Sequence, residues 1–178
     1  VQLESSRLLL RPFLENDIDE LAALANDYRI AKTTIELPYP YTKEDARWWI
    51  GHHPGWIEEG SRFPFAVTKK GEGELMGNIT VRMQPEHQRG ELGYWLGTDY
   101  WGSGYMSEAA ELVRDFSFRS LEAHRLIAPV MSKNQASAQV VKRIGMRYEG
   151  ILRQDVWKWS RYEDVDMYGM LAAEWGQA

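Results

Sequence analysis

Residues 91–118 read ELGYWLGTDYWGSGYMSEAAELVRDFSF, and their order of strand, glycine turn and helix decides the fold. The run 91–96 is aromatic and aliphatic and has strand length. Gly97, Thr98 and Asp99 break it. Trp101-Gly102-Ser103-Gly104-Tyr105 then turns directly into a helix, whose apolar stripe is Met106, Ala109, Ala110, Val113 and Phe116. Glycines ahead of a helix let the backbone approach a ligand closely. The first amides of the helix have no partner within it, and the helix dipole there favours negative charge. Such a turn is a natural seat for phosphate.

Upstream, residues 7–13 (RLLLRPF) read as a first strand. Asn16 or Asp17 suits the N-cap of a helix carrying Ile18, Leu21, Leu24 and Ala25. Pro38 and Pro40 keep the following segment out of helix. Thr42 with Asp45 opens a second helix as a capping box, and Pro54-Gly55 is expected to interrupt it. Residues 63–68 and 75–83 read as a hairpin around Lys70-Gly71-Glu72-Gly73. Downstream come a strand at 125–131, a helix capped by Asn134 and ended by Gly145, and two strands at 148–159 and 162–171.

Three antiparallel strands thus feed one right-handed βαβ crossover. The fold class is α/β: a mixed, mostly antiparallel twisted sheet with helices on both faces. The 178 residues have ordinary composition, and one domain spanning 1–178 is expected. Net charge is −5 with no basic block, which argues against nucleic acid as a partner. There is no cysteine, hence no disulfide framework and no thiolate nucleophile, which fits a cytoplasmic setting. No run of membrane-spanning length and no signal peptide is visible. The four histidines show no ligand spacing with carboxylates, His52 and His53 read as exposed loop residues, and no metal site is expected.

Three phosphate-binding families could own the glycine turn. A Walker loop needs Lys-Ser/Thr after the second glycine, where Tyr105-Met106 stand. A dinucleotide fingerprint needs a third glycine, where Ser107 stands. An ordinary strand-to-helix turn also remains open. The third family is the GNAT superfamily of acyl-CoA-dependent N-acetyltransferases. Trp101-Gly102-Ser103-Gly104-Tyr105-Met106 resembles its pyrophosphate loop, with Trp101 in place of Arg/Gln and Met106 in place of a small residue. The longer stretch GYWLGTDYWGSGYMSEA is similar to that of the RimJ/RimL type, the ribosomal-protein N-terminal acetyltransferases. A second motif, Asn134-Gln135-Ala136-Ser137 with Gly145-Met146, resembles the Asn-x-x-Ser…Gly-Phe segment of that family. Taken alone, Asn134 is a helix N-cap and Ser137 an ordinary helix residue.

The resemblance implies the same sheet order and acetyl-CoA as cosubstrate, bound by Tyr94, Trp95, Leu96, the loop 101–106, Asn134 and Ser137. A bulged, splayed central strand is expected to leave amides near Tyr94 to Leu96 free for pantetheine and the acetyl oxygen. Transfer goes by direct attack of a primary amine in a ternary complex. Many members protonate the thiolate with a tyrosine, at a position matched here by Val141, so Ser137 is the expected donor. Glu91 is the first choice of base, with a cross-strand ion pair to Arg82 or Arg89 as its bland alternative. The RimL-type glutamate aligns with Val156, beside Asp155. Glu108 reads as a carboxylate favoured near a helix start.

The acceptor is expected to meet the segment 30–60, where Tyr39, Tyr41, Trp48, Trp49 and Trp56 lie beside Glu36, Glu44, Asp45, Glu58 and Glu59. These residues could equally cover a sheet edge or form a homodimer face. The C-terminal hairpin, with Trp157, Trp159, Glu163, Asp164 and Asp166, could form the other wall. Three functions stand: acetylation of a protein N-terminal α-amine, acetylation of a small amine (polyamine, amino acid or aminoglycoside), or a non-catalytic acyl-CoA-binding module.

Overall fold

The computed structural model describes residues 1–177. Its strands are β1 (Leu3–Glu4), β2 (Leu8–Arg11), β3 (Arg62–Lys69), β4 (Leu75–Gln84), β5 (Arg89–Leu96), β6 (Arg125–Met131), β7 (Arg147–Lys158) and β8 (Arg161–Leu171). Its helices are α1 (Ile18–Ala25), α2 (Tyr28–Ala31), α3 (Lys43–Glu58), α4 (Tyr105–Arg119), α5 (Gln135–Arg143) and α6 (Ala172–Trp175). The strands form one sheet in the order β1-β2-β3-β4-β5-β6-β8-β7. All neighbours are antiparallel except β5 and β6, which α4 connects as parallel strands. The expected α/β class, mostly antiparallel with helices on both faces, is what the chain adopts.

Alternation along the strands builds a core on each face. Phe65 and Val67 pack with Met106, Ala110, Val113 and Phe116 under α4. Ala66, between them, joins Ile18, Leu21, Ala46, Ile50 and Trp95 under α1 and α3. β5 divides in the same way, with Leu92 and Leu96 on the α4 side and Trp95 on the α3 side.

Several details differ from expectation. A short β1 precedes β2. Asp17 does not cap α1 through its side chain, because its carboxylate is spent on Arg11 and on Leu14 N–H. The Thr42–Asp45 capping box forms, but α3 runs through Pro54 without interruption. The helix keeps its course because Ile50 and His53 are buried ahead of the proline and Trp56 packs on His53 beyond it. That packing offsets a lost helix bond and ring clash worth about 3 kcal/mol. His53 is therefore a buried helix residue, and His52 an exposed one on the same helix.

Candidate active site

β5 is held unevenly. Its ladder with β4 is unbroken from Gly77↔Leu96 to Gln84↔Arg89. Its ladder with β6 stops at Glu91↔Ile127, although both strands continue. No bulge opens β5; the register shifts lie in the β3–β4 and β7–β8 ladders. The opening has another cause, which the chain sets at Pro129. Ser132 N–H donates to Asp164 O beside the Met131↔Val165 pair, so Pro129 turns its backbone away from β8 and toward β5. The next donor from β6 to β5 would be the N–H of residue 129, and proline has none.

The parity of β5 follows from Gly97 N–H donating to Met76 O at 2.7 Å beside Gly77↔Leu96. Leu92 N–H makes the last rung, to Ile127 O, while Leu92 C=O and the backbone groups of Tyr94 and Leu96 face the gap, and Trp95 directs its own to β4. Leu96 O accepts the Trp101 indole N–H at 2.8 Å, which folds the glycine turn back on the strand end. Gly102 (φ +82) and Gly104 (φ +79) are left-handed, and Gly104 starts α4 without a side-chain cap. The first-turn amides are thus left for a ligand. Met106 buries its side chain in the core and can offer only its backbone. Tyr105, the first helical residue, lies under the Arg7 guanidinium at 4.3 Å.

On the far side of the gap, Asn134 Oδ1 accepts Ser137 N–H at 3.1 Å. Its amide donates to Thr33 O at 3.2 Å, tying α5 to the loop after α2. Ser137 Oγ donates to Tyr94 Oη at 2.8 Å, and Tyr94 Oη donates to Ser137 O at 2.9 Å. This pair ties β5 to α5 beyond the last ladder rung. Burial pushes the Tyr94 phenol above its usual pKa, and the Ser137 hydrogen bond offsets part of that.

Beside this pair lies a cavity of about 520 Å³. Its lining brings together Glu91, Tyr94, Trp95, Asn134 and Ser137, while Leu96, the last residue of β5, and the 101–106 loop are not part of it. Its floor follows cross-strand rows: Asn78 and Trp95; then Thr80 and Gly93; then Arg62, Arg82 and Glu91. A Cβ on Gly93 would meet nothing within 4 Å. The wall is the expected segment: Thr33 to Pro38, Tyr41, Asp45, Trp48, Trp49 and Trp56.

Glu36 is spent on Arg82 and Asp45 on the Thr42 cap, while Glu44, Glu58 and Glu59 do not line this cavity. Glu91 stands opposite Arg82 in the ladder, yet it makes no ion pair among the described residues, because Arg82 turns to Glu36 and Arg89 to Gln84. Val141 is fully buried in the core, and Val156 faces Glu163 across the last hairpin. The tip of that hairpin reaches the wall. Trp159 stacks on Tyr28 at 5.3 Å, and Lys158 Nζ donates to Leu37 O at 3.1 Å and to Thr34 O. Burial pulls Lys158 down to about 8. Trp157 packs only on Tyr162 among the aromatics and stays exposed.

The sequence profile of the acetyltransferase (GNAT) domain matches residues 7–147. The chain is 29% identical over 175 residues to YnaD, an uncharacterized N-acetyltransferase of Bacillus subtilis, covering 98% of this chain and 99% of that one. It is 30% identical over 131 residues to the ribosomal-protein-serine acetyltransferase of Escherichia coli, covering 73% and 72%. A GNAT-family acetyltransferase of Bacillus anthracis superposes with a TM-score of 0.87 at 28% identity, covering 98% of this chain and 100% of that chain. The chain belongs to the GNAT acetyltransferase family, and it is an enzyme that transfers acetyl from acetyl-CoA to an amine. Among the described residues no helix is long and apolar enough to cross a membrane, and no group of acidic, histidine or cysteine side chains could hold a metal.

Proposed function

We propose that the acceptor is the α-amine at a protein N-terminus. One observation carries this reading. Of the three carboxylates lining the cavity, Glu36 and Asp45 are spent on neighbours, and Glu91 alone is unpaired. Val141 and Val156 supply no second base. An α-amine has a pKa near 8 and a lysine near 10.4, so a site with one modest base suits the first. The E. coli relative named for ribosomal-protein serine is in line with a protein acceptor.

Acetyl-CoA would supply the thioester, with its diphosphate at the 102–106 turn and its arm in the gap. Tyr94 and Leu96 N–H groups would orient the arm and the acetyl oxygen. Glu91 would take the amine proton, directly or through water. Ser137, backed by Tyr94, would offer a proton to the departing sulfur.

Turnover of acetyl-CoA with free-N-terminus peptides, polyamines, amino acids and aminoglycosides tests the reading. The peptides are expected to be the best substrates. A small amine preferred by orders of magnitude in kcat/KM would replace it with the small-amine reading.

A further inference from the structure

The phosphate turn is braced by a residue outside both family motifs. Arg7, just ahead of β2, sends Nη1 to Ser103 O at 2.9 Å. Its Nε donates to Glu108 Oε2 at 2.7 Å, and Nη2 lies 2.7 Å from the same oxygen. Ser5 Oγ and Arg7 N–H hold the other carboxylate oxygen. The guanidinium carbon also sits 4.3 Å from the Tyr105 ring centre. Five residues from two distant parts of the chain thus converge on one side of the loop.

We propose that Arg7 is the positioning residue of the diphosphate seat, and that it acts by fixing the plane of the Ser103–Gly104 peptide. A trans peptide holds its C=O and N–H in opposite directions. With Ser103 O drawn to Arg7, Gly104 N–H faces the other way, with the open amides of α4. The left-handed Gly104, φ +79, is the hinge that permits this setting. A Cβ there would meet Arg7 Nη2 at 3.6 Å, so Arg7 lies on the Cβ side of the turn. Charge is not what Arg7 contributes, because Glu108 neutralises it in a forked pair. Glu108 lies in the first turn of α4, as expected, and there it also anchors the brace. Its own carboxyl is held below its usual pKa by Ser5 and Arg7, against burial, which raises it.

The inference rests on the reading of the turn as the diphosphate seat, and its test separates the two. Arg7→Gln and Arg7→Lys are compared with the parent on acetyl-CoA and on S-acetylpantetheine, which lacks the diphosphate. CoA binding is measured by calorimetry, and folding by thermal melting. The parent is expected to prefer acetyl-CoA strongly. Both variants are expected to shrink that preference at least tenfold, through KM for acetyl-CoA rather than kcat. Arg7→Lys fails with Arg7→Gln because an ammonium keeps the charge but cannot hold Ser103 and Glu108 in one plane. If Arg7→Gln does not fold, Arg7→Lys carries the comparison. Unchanged CoA affinity in a folded variant overturns the brace and leaves the seat standing. Equal losses on both donors overturn it as well, showing general damage. A parent that binds acetyl-CoA no better than S-acetylpantetheine overturns the seat and the brace together.

Discussion

Ser137 Oγ donates to Tyr94 Oη at 2.8 Å, and Tyr94 donates back to Ser137 O at 2.9 Å. The serine expected to serve the thiolate is therefore not an isolated hydroxyl. Its proton already points along a line ending on a buried phenol. To turn toward a sulfur, Ser137 must release Tyr94, and Tyr94 keeps Ser137 O as its own acceptor throughout. Ser137→Ala is expected to lower kcat about 10- to 100-fold, at the weak end of general-acid effects, with less change in CoA affinity. Tyr94→Phe should lower kcat by a smaller factor, and the double variant should lose no more than Ser137→Ala alone. Steady-state kinetics with a good acceptor checks this; additive losses would mean that the two hydroxyls act separately.

Glu91 is the unpaired carboxylate of the acceptor cavity. Glu91→Gln is expected to reduce kcat/KM about tenfold or more near pH 7. The loss should shrink above pH 8, where an α-amine of pKa near 8 deprotonates unaided. A pH-rate profile of parent and variant decides it. A loss constant with pH would assign Glu91 to binding alone.

Pro129 ends the β5–β6 ladder because it has no N–H to give. Pro129→Val restores that donor and should let the strands pair further. Activity should fall at least tenfold while the melting temperature holds or rises. Hydrogen exchange at Tyr94, slowed in the variant, would locate the change; full activity with a closed gap would separate the opening from catalysis.

His53 is buried with both ring nitrogens unpartnered, among Phe13, Trp49 and Trp56. Burial and the nearby His52 lower its pKa to about 4. The unfolded chain takes up this proton near pH 6.5, and the folded chain only near 4. Stability is therefore full above pH 6.5 and is lost on acidification through that window, by roughly 3 kcal/mol at most. Paired carboxylates such as Asp17, with lowered pKa, act at more acid pH. Denaturant unfolding at pH 7 and pH 5 should show the loss in the parent and a flatter response in His53→Leu. Equal slopes would contradict it.

The fold was legible because local patterns carry it. Two-residue alternation, the 102–104 glycines and the Asn134 cap each report on a few neighbouring residues. The sheet order of the last hairpin was not legible, since nothing local says that β8 rather than β7 lies beside β6. The site was legible in its backbone parts and less so in its side chains. Tyr94 stands out as a groove wall, but its partner is 43 residues away. Arg7 and Glu108 are 101 residues apart, and no spacing rule joins them. His53 looked like a loop residue because Pro54 follows it, and packing on both sides overrode the proline. Pro129 was the one missed signal in plain view, a proline inside an apolar strand.

The most direct test is a competition between two peptides that differ only at the N-terminus and at one lysine position. One has a free N-terminus and no lysine. The other is blocked at its N-terminus and carries a lysine. Initial rates with acetyl-CoA are measured at pH 7.5, and the acetylated atom is located by mass spectrometry. The account predicts acetylation of the free α-amine with kcat/KM at least a hundredfold above that of the lysine peptide. Preferential modification of the blocked, lysine-bearing peptide would contradict it, and would require a base stronger than an unpaired Glu91.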